Sequence, residues 1–350
     1  MCSMYTVAGS NLFGQWSCHQ NYFESFVSLD KCESFKRSTL LCVTWSYNLF
    51  SLDDRIFLSG AFRGKTNQFV ALPFPTEFKN ISYMLAAGND YNIILIDKYN
   101  SIYIFNLKTE HFKRITVTEY SNDANTDISN VFIKVIMSNN SALYLTYSGD
   151  VYSGLLPIHL DTSNCYGQVV DINIGYEHFL LLTDTGRVYT WGNGRRLQLG
   201  HGDLNNLENP KEVEALAGIN IVKVSTGGWH SCALSEHGDL YVWGWNNTGQ
   251  LGIKQKEEPF LLRSYGIPML VDLYDDDGKE IEVNIKDVDC GSKHTAILLE
   301  DGSVWTSGGN KYGQLGFSVK TTQLDYFKKA FVSDSNQSVI CALWNTVVLS

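Results

Sequence analysis

The sequence predicts an all-β propeller of seven blades, folded as a single domain over residues 1–350. Three observations carry this reading: segments that align without a gap as strand, turn and strand; a spacing of about 50 residues per unit; and two half-units at the chain ends that complete one another.

The best-defined repeats lie within residues 170–316. GYEHFLLLTDTGRVYTWGNGRRLQLG begins at Gly175, GGWHSCALSEHGDLYVWGWNNTGQLG at Gly227 and GSKHTAILLEDGSVWTSGGNKYGQLG at Gly291. Each first Gly is followed in fixed register by a His (His178, His230, His294), then by a turn Gly (Gly186, Gly238, Gly302). Further glycines recur at Gly192, Gly244, Gly308 and at Gly200, Gly252, Gly316. Apolar runs such as AILL before the turn and VYTW or LYVW after it read as a hairpin. Their continuity, rather than alternation, is that of strands covered on both faces, here by neighbouring blades.

The same frame continues upstream in weaker form, with units starting at Ser138, Gly88 and Val43. At the C-terminus a unit starts at Ala342 and supplies only its beginning, ALWNTVVLS. The rest is at the N-terminus, where Gly9, Asn11, Gly14 and Gln15 match Gly308, Asn310, Gly313 and Gln314. Closure through such a shared blade pairs edge strands that an open array leaves exposed. Kelch and WD40 repeats have comparable periods, but a repeated Gly-Gly and W-D strand ends are missing.

The spacing from Gly227 to Gly291 is 64 residues, against 52 and 51 on either side. An insertion therefore falls within 253–284, where DLYDDDGKEIE reads as an acidic, mobile loop. A calcium loop aligned on Gly278 would need ligands where Leu273 and Asn284 stand.

With 27 Lys+Arg against 37 Asp+Glu, the net charge of -10 has the wrong sign for a surface that wraps nucleic acid, so no direct nucleic-acid binding is expected. The N-terminus lacks a basic and apolar leader pattern, and no apolar run approaches a membrane span, so cytosol or nucleus is expected. The eight cysteines, Cys2, Cys18, Cys32, Cys42, Cys165, Cys232, Cys290 and Cys341, form no C-x-x-C pair or zinc-spaced cluster and read as reduced thiols. GNGRRL at Gly192 has Leu197 where a dinucleotide fingerprint needs Gly, and P-loop, H-E-x-x-H and G-x-S-x-G motifs are lacking. Neither enzymatic activity, a cofactor nor a metal is expected.

The pattern H-x-x-x-L, D-G-x-V-[YW], G-x-N-x-x-G-Q-L-G resembles the regulator of chromosome condensation repeat, strongly over 170–316 and in register elsewhere. With GGWHS, WGWN and WNT, the chain most resembles the small single-propeller, chromatin-associated branch of that family. That resemblance implies an RCC-type propeller and a nuclear protein, with the cytoplasm as a second compartment. It also implies an adaptor that binds a JmjC-domain histone demethylase, and histones with it, acting in histone methylation and chromosome segregation. Other family members exchange guanine nucleotide on the GTPase Ran, form parts of ubiquitin ligases or sense ultraviolet light, so the fold alone does not assign function. Exchange activity on a Ran-like GTPase is the alternative reading, and the protein is expected to be monomeric by itself.

In a repeat, a residue that every unit demands serves the fold, and one that varies between units is free for recognition. The repeat histidines and glycines are therefore structural, and Trp191, Trp243 and Trp305 are core. The position before the repeat His carries Trp45, Trp229 and Trp344 in three units and Asp90, Asn140, Glu177 and Lys293 in the others. These three tryptophans, with Trp245, read either as a partner surface or as aromatic packing between blades. By resemblance, their loop rings one face of the channel. Arg195 and Arg196 vary likewise, and read as contacts to an acidic partner or as a solvated loop.

Overall fold

The computed structural model describes residues 5–16, 20–29, 35, 38–75, 78, 82–115, 130–254, 264–333 and 335–350. Among these, seven four-stranded antiparallel sheets follow one another around a channel. Blade 1 lies within residues 39–71, blade 2 within 83–115, blade 3 within 132–159, blade 4 within 169–212, blade 5 within 221–270 and blade 6 within 285–332. Each of these six is a meander whose innermost strand comes first in sequence.

Blade 7 is the shared one. Ser338–Ala342 is innermost, followed by Asn345–Leu349, and the N-terminal strands Tyr5–Ser10 and Tyr22–Ser28 complete it. Tyr5 pairs with Leu349 and Gly9 with Asn345 across the closure. The matched motif behaves as its repeat counterpart does: Asn11 Oδ1 accepts from Trp16 N–H at 2.9 Å, as Asn310 Oδ1 accepts from Leu315 N–H at 3.0 Å.

The core is interleaved between blades, which is why the strands read as continuous apolar runs. Leu180, Leu182 and Val188 of blade 4 pack on Ile221, Val224, Ala233 and Trp243 of blade 5. Two glycine positions show why the repeat needs them. Gly238 holds a φ of +86° in its turn. At Gly227 a Cβ would lie 2.0 Å from His230 Cε1 and 2.5 Å from Gly291 O, so a side chain has no room between adjacent blades.

Two readings need correction. In each well-defined repeat the first residue donates its N–H to the carbonyl of the residue in the His position, as Gly175 does to His178 at 2.9 Å. Thr44 makes that bond to Tyr47 and Asn89 to Asn92, so these units start at 44 and 89 rather than 43 and 88. Tyr47 fills the histidine position, Ser46 precedes it, and Trp45 stands one place earlier than Trp229 and Trp344. The acidic stretch also holds regular structure where a loop is expected. Leu273–Tyr274 and Glu280–Ile281 pair as a short hairpin closed by Asp275, whose Oδ1 accepts from Lys279 N–H at 2.8 Å. Buried Val271 and Leu273 seat it on the core shared by blades 5 and 6.

Candidate functional site

Strand direction places the variable loops together. In each meander the innermost strand turns into the second at one end of the ring, and the third strand returns to that same end before the G-x-N-x-x-G-Q-L-G loop. Both loop sets therefore share one face, called the upper face below. The turn glycines Gly186, Gly238 and Gly302 lie on the opposite one.

Beneath the upper face the repeat histidines stitch the blades together. His178 Nε2 lies 3.0 Å from Ser231 Oγ, His230 Nε2 3.0 Å from Thr295 Oγ1 and His294 Nε2 3.1 Å from Thr346 Oγ1. Each hydroxyl in turn donates to a glutamine carbonyl: Ser231 to Gln198, Thr295 to Gln250 and Thr346 to Gln314. Each imidazole therefore donates from Nε2. Burial drives the pKa of His178 and of His294 down to about 3, with the neighbouring His230 adding to it. Where blade 7 meets blade 1, Asn345 fills the histidine position and Asn48 Nδ2 donates to the Gln15 carbonyl at 3.1 Å.

The channel, about 480 Å³, is lined by innermost strands. Four residues before each unit start, Lys134, Asp171, Lys223 and Asp287 alternate in charge around four consecutive blades. Lys134 pairs with Asp171 at 2.6 Å, and Lys223 pairs with Asp287. Burial raises the pKa of the Asp289 carboxyl above the ordinary carboxylate range, against the pull of Lys223 and the Cys341 N–H. Burial works against the charge of Lys223, yet Asp289 and Asp287 hold its pKa above the usual lysine value. This alternation is legible in the sequence at a fixed repeat offset. Asp287 also accepts from Val339 N–H at 2.9 Å, tying blade 6 to blade 7. Asp287→Asn is expected to cost about 2 kcal/mol in urea unfolding, since it removes a charge-assisted bond and leaves Lys223 underpaired. An unshifted midpoint would show that the pair contributes nothing.

The upper face carries two aromatic clusters, each formed where the outer loop of one blade meets the inner loop of the next. In the first, Trp229 packs edge-on to Tyr176, with centroids 5.7 Å apart, and Arg196 lies 4.0 Å from the Trp245 centroid and 5.2 Å from that of Trp229. Lys293 Nζ is 5.3 Å from Trp245. In the second, Trp45, Trp344 and Tyr312 form a triangle with centroids 5.4–6.2 Å apart, and Phe13 packs on Trp45. The four tryptophans singled out from sequence are all half-buried. Trp45 and Trp344 come together, as do Trp229 and Trp245 through Arg196. Arg195 is exposed, whereas Arg196 is not a freely solvated loop residue but one stacked between indoles. Tyr176, Tyr312 and Phe13 were missed, because a lone aromatic in a loop carries no sequence signal of its neighbours on other blades.

Among the described residues, no group of three or more His, Cys, Asp and Glu could hold a metal, and Cys42, Cys165, Cys232, Cys290 and Cys341 are free thiols. Cys2, Cys18 and Cys32 lie outside the described residues. Among the described residues, no helix is long and apolar enough to cross a membrane.

Fold and site together define a seven-bladed all-β propeller with its variable chemistry on one loop face. The family described as the regulator of chromosome condensation (RCC1) repeat matches residues 185–234 and 237–298, and a second form of it matches 169–198, 221–250 and 285–314. Residues 169–314 of the chain thus carry RCC1 repeats. It is similar to RCC1 domain-containing protein 1 of Mus musculus, 35% identical over 216 residues, which cover 52% of this chain and 55% of that protein. The chain thus spans about half the length of the curated relatives it matches. Among solved structures, human WBSCR16 superposes over 100% of this chain and 99% of its own with a TM-score of 0.80 at 14% identity. Prp20p of Saccharomyces cerevisiae covers 100% of this chain and 91% of its own with a TM-score of 0.78 at 15% identity. At such identities these two structures show the fold alone.

Proposed function

We propose that this chain is a non-enzymatic protein-interaction scaffold, a nuclear, chromatin-associated adaptor that binds a JmjC-domain histone demethylase and acts in histone methylation and chromosome segregation. The observation that carries the scaffold reading is the pair of half-buried aromatic clusters around the channel mouth on one face. Tryptophan and arginine are the residues most enriched at binding hot spots. The similarity to RCC1 domain-containing protein 1, with the GGWHS, WGWN and WNT segments, supports the chromatin reading.

The test is capture of the JmjC demethylase from nuclear extract by the tagged chain. Trp229→Ala with Trp344→Ala is expected to abolish capture while thermal unfolding stays cooperative. Undiminished capture by the folded double variant would rule out this face.

A second reading is guanine-nucleotide exchange on a Ran-like GTPase. It is favoured by the likeness in fold to Prp20p, whose structure is described together with its binding to Gsp1p and histones. Nucleotide release from Ran decides it: acceleration well above background would replace the adaptor reading.

A further inference from the structure

We propose that the recess beside Arg196 on the upper face docks an acidic segment of a partner protein, with a carboxylate gripped by the Arg196 guanidinium. The proposal rests on the scaffold reading and specifies the chemistry of what that scaffold holds.

The Arg196 guanidinium carbon lies over two indoles, 4.0 Å from the Trp245 centroid and 5.2 Å from that of Trp229. A ring face takes no hydrogen bond from the N–H fork, the part of a guanidinium that meets a carboxylate bidentately. Among the described residues the Arg196 side chain makes no hydrogen bond or ion pair; only its backbone N–H is bonded, to Gln198 Oε1. The group is thus held in place by its neighbours with its strongest donors unspent. Beside it, Asn193, Arg195, Arg196 and Trp229 bound an open recess of about 360 Å³.

Charge on the surrounding loops points the same way. Arg195, Lys293 and Lys311 are likewise without an ion-pair partner among the described residues, whereas Arg63, Arg187, Lys134 and Lys223 are paired with carboxylates. Four unneutralised cations thus gather on one face of a chain with a net charge of -10. The nearby loop carboxylates Glu177 and Asp203 accept from the neutral donors Asn193 Nδ2 and Asn205 N–H and make no ion pair with these four cations. A nucleic acid is the poorer occupant, since a polyphosphate needs a longer cationic track and is repelled by the overall charge.

The test uses fluorescence anisotropy of the full chain with a fluorescein-labelled peptide of alternating Glu and Leu. The same peptide with Gln for Glu and an oligothymidylate of equal charge serve as controls. The Glu peptide is expected to bind, and to bind less tightly as salt is added, while the Gln peptide does not. Arg196→Ala is expected to weaken binding about tenfold or more with an unchanged melting temperature, and Arg196→Lys to recover only part of it because the fork is lost. Lys293→Ala, on a different loop, should weaken binding more modestly and stands in if Arg196→Ala does not fold.

Equal binding of the Glu and Gln peptides, no effect of either substitution, or tighter binding of oligothymidylate would overturn the proposal. So would a dimer in sedimentation equilibrium that Arg196→Ala dissociates, because the recess would then receive a second copy. Loss of demethylase capture on Trp344→Ala in the other cluster, with no binding of the Glu peptide, would sink the acidic segment and leave the scaffold reading intact.

Discussion

Trp16→Ala is expected to destabilise the ring by about 3–5 kcal/mol, the usual cost of truncating a fully buried aromatic side chain. Trp16 is completely buried and packs edge-on against Phe35 in a cluster that joins blade 7 to blade 1 through Tyr5, Val7, Phe50 and Val347. Its backbone N–H is held by Asn11, so the chain at residue 16 cannot move in to fill the space the indole would leave. A loss of that size is a large share of the roughly 5–15 kcal/mol by which domains are stable. Removing residues 1–29 goes further: it leaves Asn345–Leu349 as a bare edge and takes away the Gln15 carbonyl that Asn48 uses. That truncation should abolish cooperative urea unfolding followed by far-ultraviolet circular dichroism. If it unfolds with the midpoint of the full chain, the closure does not hold the ring.

The second large effect is loss of stability in acid. His178 and His294 titrate near 3 when folded and near 6.5 when unfolded, because burial opposes the imidazolium. The unfolded chain therefore binds more protons as pH falls below 6.5. Stability is full above that value and declines steadily toward pH 3, by about 3 kcal/mol per histidine at pH 4. Asp289 works in the opposite sense, since its raised carboxyl pKa favours protonation in the folded state. His294→Asn isolates the histidine contribution, because Asn345 and Asn92 already fill the equivalent position in other blades. The variant is expected to lose some stability at pH 7.5 but to show a shallower fall between pH 6.5 and 4. An unchanged slope would mean that His294 is not held neutral.

Much of this was legible in the chain itself. Strand identity, turn positions and the split blade follow from local rules: a run such as AILL is covered on both faces, and a turn such as that at Gly238 needs a positive φ. Such rules act within a few residues and recur wherever the unit recurs. The register of the two weakest units was off by one residue, because Tyr47 and Asn92 stand where the better repeats have His, and an apolar strand looks the same when slid along by one. The acidic insertion misled for a related reason: DDDG reads as solvated, yet Val271 and Leu273 on its near side have a core to enter.

The sequence by itself determined the repeat, the all-β class and the meeting of the two chain ends, since periodicity and turn chemistry are properties of the chain read in order. Only the tertiary structure decided what stands beside what on the upper face. Trp45 meets Trp344, and Arg196 lies beside Trp229 and Trp245, because closing the ring brings the loops of neighbouring blades together on one face. Those neighbours are dozens to hundreds of residues apart in the chain, and their contacts depend on strand direction and ring geometry rather than on any local preference.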